Sequence, residues 1–165
     1  MLYFSDFSNI EEFFCEAAEK GDLHIMMQCV AKGIDKNAKN QFGNTALMYA
    51  SKGGDLDIIK FLIMLGADVN LKGQYDLTAL MWASPCGHLD VIKLLVKHGA
   101  DVNAVCIEGV SSLMYASYAG HFEVIKFLVE NGADVNIKSK NNDTALGLAK
   151  TDEIREFLRN AGAKE

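Results

Sequence analysis

Proline is nearly absent. Pro85 is the only one in 165 residues, beside 14 Gly, a balance that excludes collagen-like and proline-rich disordered chains. Basic charge is also short. Sixteen Lys and Arg against 22 Asp and Glu leave a formal charge of -6 and a pI near 5.2, so no general pull toward phosphate backbones or anionic lipid is expected. Neither nucleic acid nor a membrane surface is therefore an expected partner. Long apolar runs are missing, since Ile58-Ile59 and Phe61 to Leu65 are separated by Lys60 and fall far short of the ~20 residues of a spanning helix. Met1 to Ser8 carries no basic stretch ahead of an apolar one, and Asp6, Glu11 and Glu12 argue against a secretory signal; a cytoplasmic location is expected. Four cysteines, Cys15, Cys29, Cys86 and Cys106, stand 14, 57 and 20 residues apart, which gives no C-x-x-C pair and no zinc-like spacing. They read as reduced thiols, with Cys29 a small core residue.

What is present is a period. Hydrophobic residues make up 50% of the chain, enough to bury a core, and they recur at a spacing of 33. Thr45-Ala46-Leu47-Met48-Tyr49-Ala50-Ser51 returns as Thr78-Ala79-Leu80-Met81-Trp82-Ala83-Ser84, as Ser111-Ser112-Leu113-Met114-Tyr115-Ala116-Ser117, and in part as Thr144-Ala145-Leu146 with Ala149. A second block keeps step. Gly66-Ala67-Asp68-Val69-Asn70 recurs at Gly99 to Asn103 and at Gly132 to Asn136, with Gly33-Ile34-Asp35-Lys36-Asn37 before them. Two independent blocks in one register mark a repeat array, the feature that governs every later assignment.

Each unit reads as helix, turn, helix, turn. Thr45 suits an N-cap. Gly54, Gly87 and Gly120 are placed to stop the first helix and Gly66, Gly99 and Gly132 the second, glycine being free to take the left-handed conformation past a helix end. The second helix, as in Leu56-Asp57-Ile58-Ile59-Lys60-Phe61-Leu62-Ile63, is apolar almost all round and fits between neighbours in a stack. Gly43, Asp76, Gly109 and Asn142 fall at equivalent places in the connecting turns and all tolerate positive φ.

These residues resemble the ankyrin repeat family, whose consensus holds G-x-T-P-L-H-x-A, a G-H pair, an L-L pair and G-A-D-V-N. The resemblance covers roughly Glu11 to Ala163 and rests on Gly87-His88, Gly120-His121, Leu94-Leu95 and the three Gly-Ala-Asp-Val-Asn blocks. It implies an all-α solenoid of stacked helix-turn-helix units forming one domain over 1-165. The expected units are an N-terminal cap at about 8-37, full repeats at 38-70, 71-103 and 104-136, and a shortened cap at 137-165. The family's Pro is replaced by Ala46, Ala79, Ser112 and Ala145 and its His by Met48, Met81 and Met114, so the turn bonds of that His must be lost or made by other groups. The last Gly-Ala pair, Gly162-Ala163, comes three residues early. Glu153, Arg155, Glu156 and Arg159 would give the final unit a polar outer face.

Chemistry is sparse. His24, His88, His98 and His121 form no His-x-x-x-His pair, and neither a phosphate loop nor a Gly-x-Ser-x-Gly elbow occurs. No catalytic residue, cofactor or metal ion is expected. His88 and His121 recur at the repeat period and could line a metal site, but family consensus at a helix start is favoured. Asp68, Asp101 and Asp134 read as turn formers. Asp57 with Lys60, Asp90 with Lys93 and Glu123 with Lys126 read as a solvated row on the second helices, and Met48, Met81 and Met114 as core.

The remaining variable positions are Gln41, Phe42, Asn44, Lys52, Gln74, Tyr75, Leu77, Pro85, Cys86, Ile107, Glu108, Val110, Tyr118, Ala119, Lys140, Asn141 and Asp143. The resemblance places them on hairpin tips and the exposed side of the first helices, the concave surface where such proteins usually bind partners. Phe42, Asn44, Lys52, Tyr75, Leu77, Cys86, Ile107, Glu108, Val110 and Tyr118 are the candidate contacts, aromatic side chains being frequent interface anchors. Trp82, in register with Tyr49 and Tyr115, fits either inner packing or the groove edge. The expected function is non-catalytic binding of a partner protein by a monomer. Inhibition or regulation of an enzyme, a two-faced adaptor using the lysine row, and an unrecognised enzyme remain alternatives, because a fold does not choose among them.

Overall fold

The computed structural model describes residues 9-164. Met1 to Ser8, weighed above as a leader, and the final residue lie outside them. Nine α-helices occur among the described residues: α1 (Ile10–Lys20), α2 (Leu23–Ala31), α3 (Ala46–Gly53), α4 (Leu56–Met64), α5 (Ala79–Ala83), α6 (Leu89–Lys97), α7 (Ser112–Ala119), α8 (Phe122–Glu130) and α9 (Asp152–Asn160). A 3-10 turn at Ser84–Cys86 prolongs α5. Extended pairing among these residues is limited to isolated bridges, Lys39 with Thr45 and Val105 with Ser111, at the bases of two hairpin fingers. No described helix is long and apolar enough to cross a membrane.

Small residues decide how the helices stack. α1 packs on α3, α3 on α5, and α5 with its 3-10 turn on α7, through buried Ala17, Ala46, Ala50, Ala79, Ala83 and Ala116. Alanine lets helix axes approach closely, whereas the second helices meet through bulkier Ile58, Ile59, Val91, Ile92, Val124 and Ile125. The array therefore curves with its first helices inside. Met48, Met81 and Met114 are buried, as expected, and Leu62, Leu95 and Leu128 are 0% exposed. Each such leucine contributes roughly 1.5–3 kcal/mol by leaving water.

Every unit is tied to the next through side chains that reach backwards or forwards by one repeat. Asp68, Asp101 and Asp134 each accept the amide N–H two residues on, at 2.8–2.9 Å, which confirms the turn-forming role. Asn37, Asn70 and Asn103 then use their side-chain oxygens to accept the N–H of Asp68, Asp101 and Asp134 at 2.7–2.9 Å. Asn70 and Asn103 also donate to the carbonyls of Gly99 and Gly132 at 2.8 and 2.9 Å. Each of these turns thus completes the hydrogen bonding of its neighbour.

His88 and His121 belong to the same system. Both occupy N-cap positions without making a capping bond; instead Nε2 of His88 lies 2.9 Å from the Lys52 carbonyl and Nε2 of His121 lies 2.9 Å from the Pro85 carbonyl. The rings lie against glycines of the preceding unit. A Cβ on Gly54 would sit 2.8 Å from the His88 ring and one on Gly87 would sit 2.7 Å from that of His121, so a left-handed helix end and a close approach both demand glycine there. Lys150 plays this part for the last junction, with its stem over Gly120 and its ammonium 3.3 Å from the Ala119 carbonyl. The two histidines are interface ties one unit apart, and no group of three or more His, Cys, Asp or Glu among the described residues could hold a metal ion.

Two local expectations need correction. Thr144 caps as its equivalents do, accepting from Gly147 N at 3.0 Å, but the segment after it is only a turn. Gly147 disfavours helix there, and three missing residues remove nearly one helical turn; the Lys150 N–H reaches the Ser117 carbonyl at 3.2 Å instead. Of the three i,i+3 charge pairs, only Asp57 with Lys60 closes, at 3.6 Å. The equivalent pairs stay open, which costs little because exposed pairs contribute ~0.2–0.5 kcal/mol.

Leu95→Ala, in the middle of the stacked leucines, should lower unfolding free energy by ~2–5 kcal/mol, read from urea denaturation of the whole chain. A loss under ~1 kcal/mol would mean that the layer is not close-packed.

Candidate partner-binding groove

Two rows of side chains run along the inner face because positions three apart on a helix share one side. Glu16, Tyr49, Trp82 and Tyr115 form one row at 33-residue spacing, and Glu19, Lys52, Pro85 and Tyr118 form the other. The hairpin fingers add Phe42, Tyr75 and Ile107. Phe42 is 51% exposed, Tyr75 63%, Ile107 49% and Tyr118 71%, so these four expected contacts face solvent. Lys52, Cys86 and Glu108 are exposed, while Leu77 and Val110 are half-buried.

Asn44 is the exception. At 3% exposure it cannot meet a partner, and its Oδ1 accepts the Gln74 N–H at 2.9 Å. The fingers are joined in the same way further on, Ile107 N–H to the Tyr75 carbonyl and Lys140 N–H to the Glu108 carbonyl, both at 2.9 Å. Asn44 is therefore a structural tie between fingers. Two of the finger turns are closed by side chains of their own: Asn40 Oδ1 accepts from Phe42 N and Asn44 N at 3.1 Å, and Ser139 Oγ accepts from Asn141 N and Asp143 N at 3.2 and 3.1 Å.

Gly43, Asp76, Gly109 and Asn142 have φ of 76°, 60°, 75° and 62°, as their shared place in the turns implied. Tyr75 was not expected to join them. Its φ is 57°, a left-handed conformation that costs a residue with a Cβ roughly 1–2 kcal/mol.

A cleft of about 230 Å³ opens between the inner helices, lined by Lys52, Leu77, Met81, Trp82, Pro85, Cys86 and Tyr115. It brings Lys52, Leu77 and Cys86 together, and adds Trp82 and Tyr115. A second cleft, of about 300 Å³, is lined by Glu12, Cys15, Glu16, Glu19, Lys20, Asn40, Phe42 and Tyr49. Tyr75, Ile107, Glu108, Val110 and Tyr118 line neither.

Trp82 is at once packing and groove wall. Its ring centroid lies 5.6 Å from that of Tyr49, tilted by 53°, and Lys52 Nζ stands 5.5 Å from the indole, within cation–π range. Its Nε1 is buried without a hydrogen-bond partner. Tyr49 OH receives Asn40 Nδ2 at 3.0 Å and Tyr115 OH lies 3.9 Å from Cys106 Sγ, each partner nine residues earlier; nine residues before Trp82 stands Gly73, which has no side chain. A Cβ on Gly73 would fall 2.5 Å from Asn44 Oδ1 and 2.6 Å from Met48 Sδ. The aromatic row at the repeat period was the sequence signal for Trp82 and Tyr115.

Ionisable groups here follow burial. Burial, reinforced by the Glu12 carboxylate, pushes the Cys15 thiol up to about 12. Burial also raises Cys29, and together with Cys106 it pushes the Tyr115 phenol up to about 12. Neither Cys15 nor Cys29 is a ready nucleophile, because the thiolate is the reactive form. Cys86 alone among the four is exposed.

The geometry is that of a repeat solenoid presenting a groove, with stacked helices as its back and crosslinked fingers as its rim. Family models agree. One for ankyrin repeats (3 copies) matches residues 14–106 and another for ankyrin repeats (many copies) matches residues 95–149. The chain belongs to the ankyrin repeat family, whose members are generally protein–protein interaction modules and typically non-catalytic. No curated protein matches it.

Two measurements check this description. Gly73→Ala should destabilise the fold by ~1–3 kcal/mol, as overpacking does, in a denaturant titration; an unchanged midpoint would mean that Asn44 and Met48 are free to move aside. The raised Cys15 pKa makes stability flat below the ordinary thiol value of 9.0 and decreasing from there toward about 12, because the unfolded chain loses a proton that the folded chain keeps. Cys15→Ala should make that alkaline decline shallower in melting curves taken across the window.

Proposed function

We propose that this chain is a non-catalytic recognition module that binds a partner protein through the groove between its fingers and first helices. The observation that carries the reading is the exposure of Phe42, Tyr75, Ile107 and Tyr118 along one side of the stack, next to an apolar cleft walled by Trp82. Large apolar side chains on fingers and inner helices add nothing to the core, and aromatic anchors of this kind dominate interface energetics. Tyr75 strengthens the reading. Holding an exposed aromatic in a left-handed backbone works against stability, and strain of this sort collects at functional positions.

Tyr75→Gly combined with Tyr118→Ala separates binding from folding, since glycine relieves the backbone at position 75 and both side chains are mostly in solvent. The double variant should melt within a few degrees of the wild type. A partner recovered by affinity purification from the native source should bind it more weakly by ~2 kcal/mol or more per anchor, measured by calorimetry. Equal affinity for both proteins would remove this face as the binding surface.

A further inference from the structure

The two clefts are neighbours of unlike character. Tyr49 lines the one that holds Glu12, Glu16 and Glu19, Trp82 lines the apolar one, and their rings are in contact at 5.6 Å. Glu12, Glu16 and Glu19 are spaced i, i+4 and i+7 on α1, so they share a face. Glu16 meets Lys20 at 3.0 Å and Glu19 meets Lys52 at 3.9 Å, both pairs exposed. Three carboxylates against two ammonium groups leave a local excess of one negative charge, while the lining of the apolar cleft contains no acid at all.

Lys52 shows what the boundary accommodates. Its ammonium lies between Glu19, at 3.9 Å, and the face of Trp82, at 5.5 Å. A cation at that place is served by a carboxylate and an aromatic ring together, and Lys52, itself exposed and held only by those two contacts, can leave it. From this juxtaposition we infer that the groove takes an extended partner segment carrying a lysine or arginine beside a bulky apolar side chain. The apolar group enters the cleft of Trp82, Leu77 and Tyr115; the cation crosses the Tyr49–Trp82 wall to Glu12, Glu16 and Glu19 and displaces Lys52. This rests on the groove reading above and gives it a partner chemistry and a direction, with the cation toward the N-terminal end of the stack.

The test selects binders for the full chain from a random dodecapeptide library displayed on phage and sorts them by whether the Tyr75→Gly/Tyr118→Ala variant still holds them. The expected winners place Lys or Arg within a few residues of Phe, Leu, Met or Trp. A synthetic peptide made from a winner should bind the Glu12→Gln/Glu16→Gln/Glu19→Gln variant about tenfold more weakly at low salt, with the difference closing as salt is added. Lys52→Gln should bind it several-fold more tightly, because the competing internal cation is gone. Groove-dependent winners that are acidic or uncharged, or a Lys52→Gln variant that binds more weakly, would overturn the cationic partner and leave the groove reading standing. Peptides that bind without regard to Tyr75 and Tyr118, or none at all, would overturn both.

Discussion

The hydrogen bonds that run from one unit to the next are the constraint on which the molecule depends. A single hairpin such as α5 with α6 cannot satisfy its own turns: the N–H of Asp101 needs Asn70 of the preceding unit, and the carbonyl of Gly99 needs the amide of the same asparagine. The inner face is tied by a different residue, His88, to the Lys52 carbonyl. Both ties span fixed distances along the chain, 31 residues for the first and 36 for the second. They hold only if every unit keeps its length. In a solenoid, whose stability is a sum of unit and nearest-neighbour terms, the period is thus enforced by chemistry at each junction.

This also explains which parts of the structure were legible in the sequence. The periodic letters do periodic work. Glycines at helix ends, Asp and Asn in the turns and leucines in the layers each meet the same environment every 33 residues, so repetition alone betrays their roles. What escaped was local departure from the average unit. Asn44 looked variable and polar, hence exposed, yet a finger-to-finger bond buries it. The last inner helix looked intact from Thr144-Ala145-Leu146, yet Gly147 and a shortfall of three residues reduce it to a turn. Tyr75 gave no sign of a left-handed backbone, because the residue type does not favour one; in the fold its carbonyl accepts the Ile107 N–H of the next finger.

The groove proposed above rests on positions of the opposite kind. Positions relieved of the stacking role are free to vary, and their variation here is strongly apolar in the two middle units, where Tyr75, Leu77, Ile107, Val110 and Tyr118 fall. Their exposures differ, from 71% for Tyr118 to the half-buried Leu77 and Val110. That gradient divides the residues into those that project and those that floor the groove. The candidate contacts consequently do not form one pocket. Lys52, Leu77 and Cys86 line a shallow cleft while Phe42, Tyr75, Ile107 and Tyr118 project outside it, a shape that suits a chain laid across it better than a small molecule enclosed within it.

The second full unit departs from the repeat by a subtraction. Where the flanking units place Asn40, Cys106 and Ser139, the second full unit places Gly73, and where they place Tyr49 and Tyr115 it places Trp82. Removing one side chain leaves room for Asn44 and Met48 to pack against the bare backbone, and the indole N–H nearby, which can only donate, is buried without an acceptor. An unpaired buried donor costs ~1–3 kcal/mol, so this exchange opposes stability at the very point where the groove turns from acidic to apolar. The departure from the repeat at positions 73 and 82 therefore gives the middle of the stack a character that its neighbours lack.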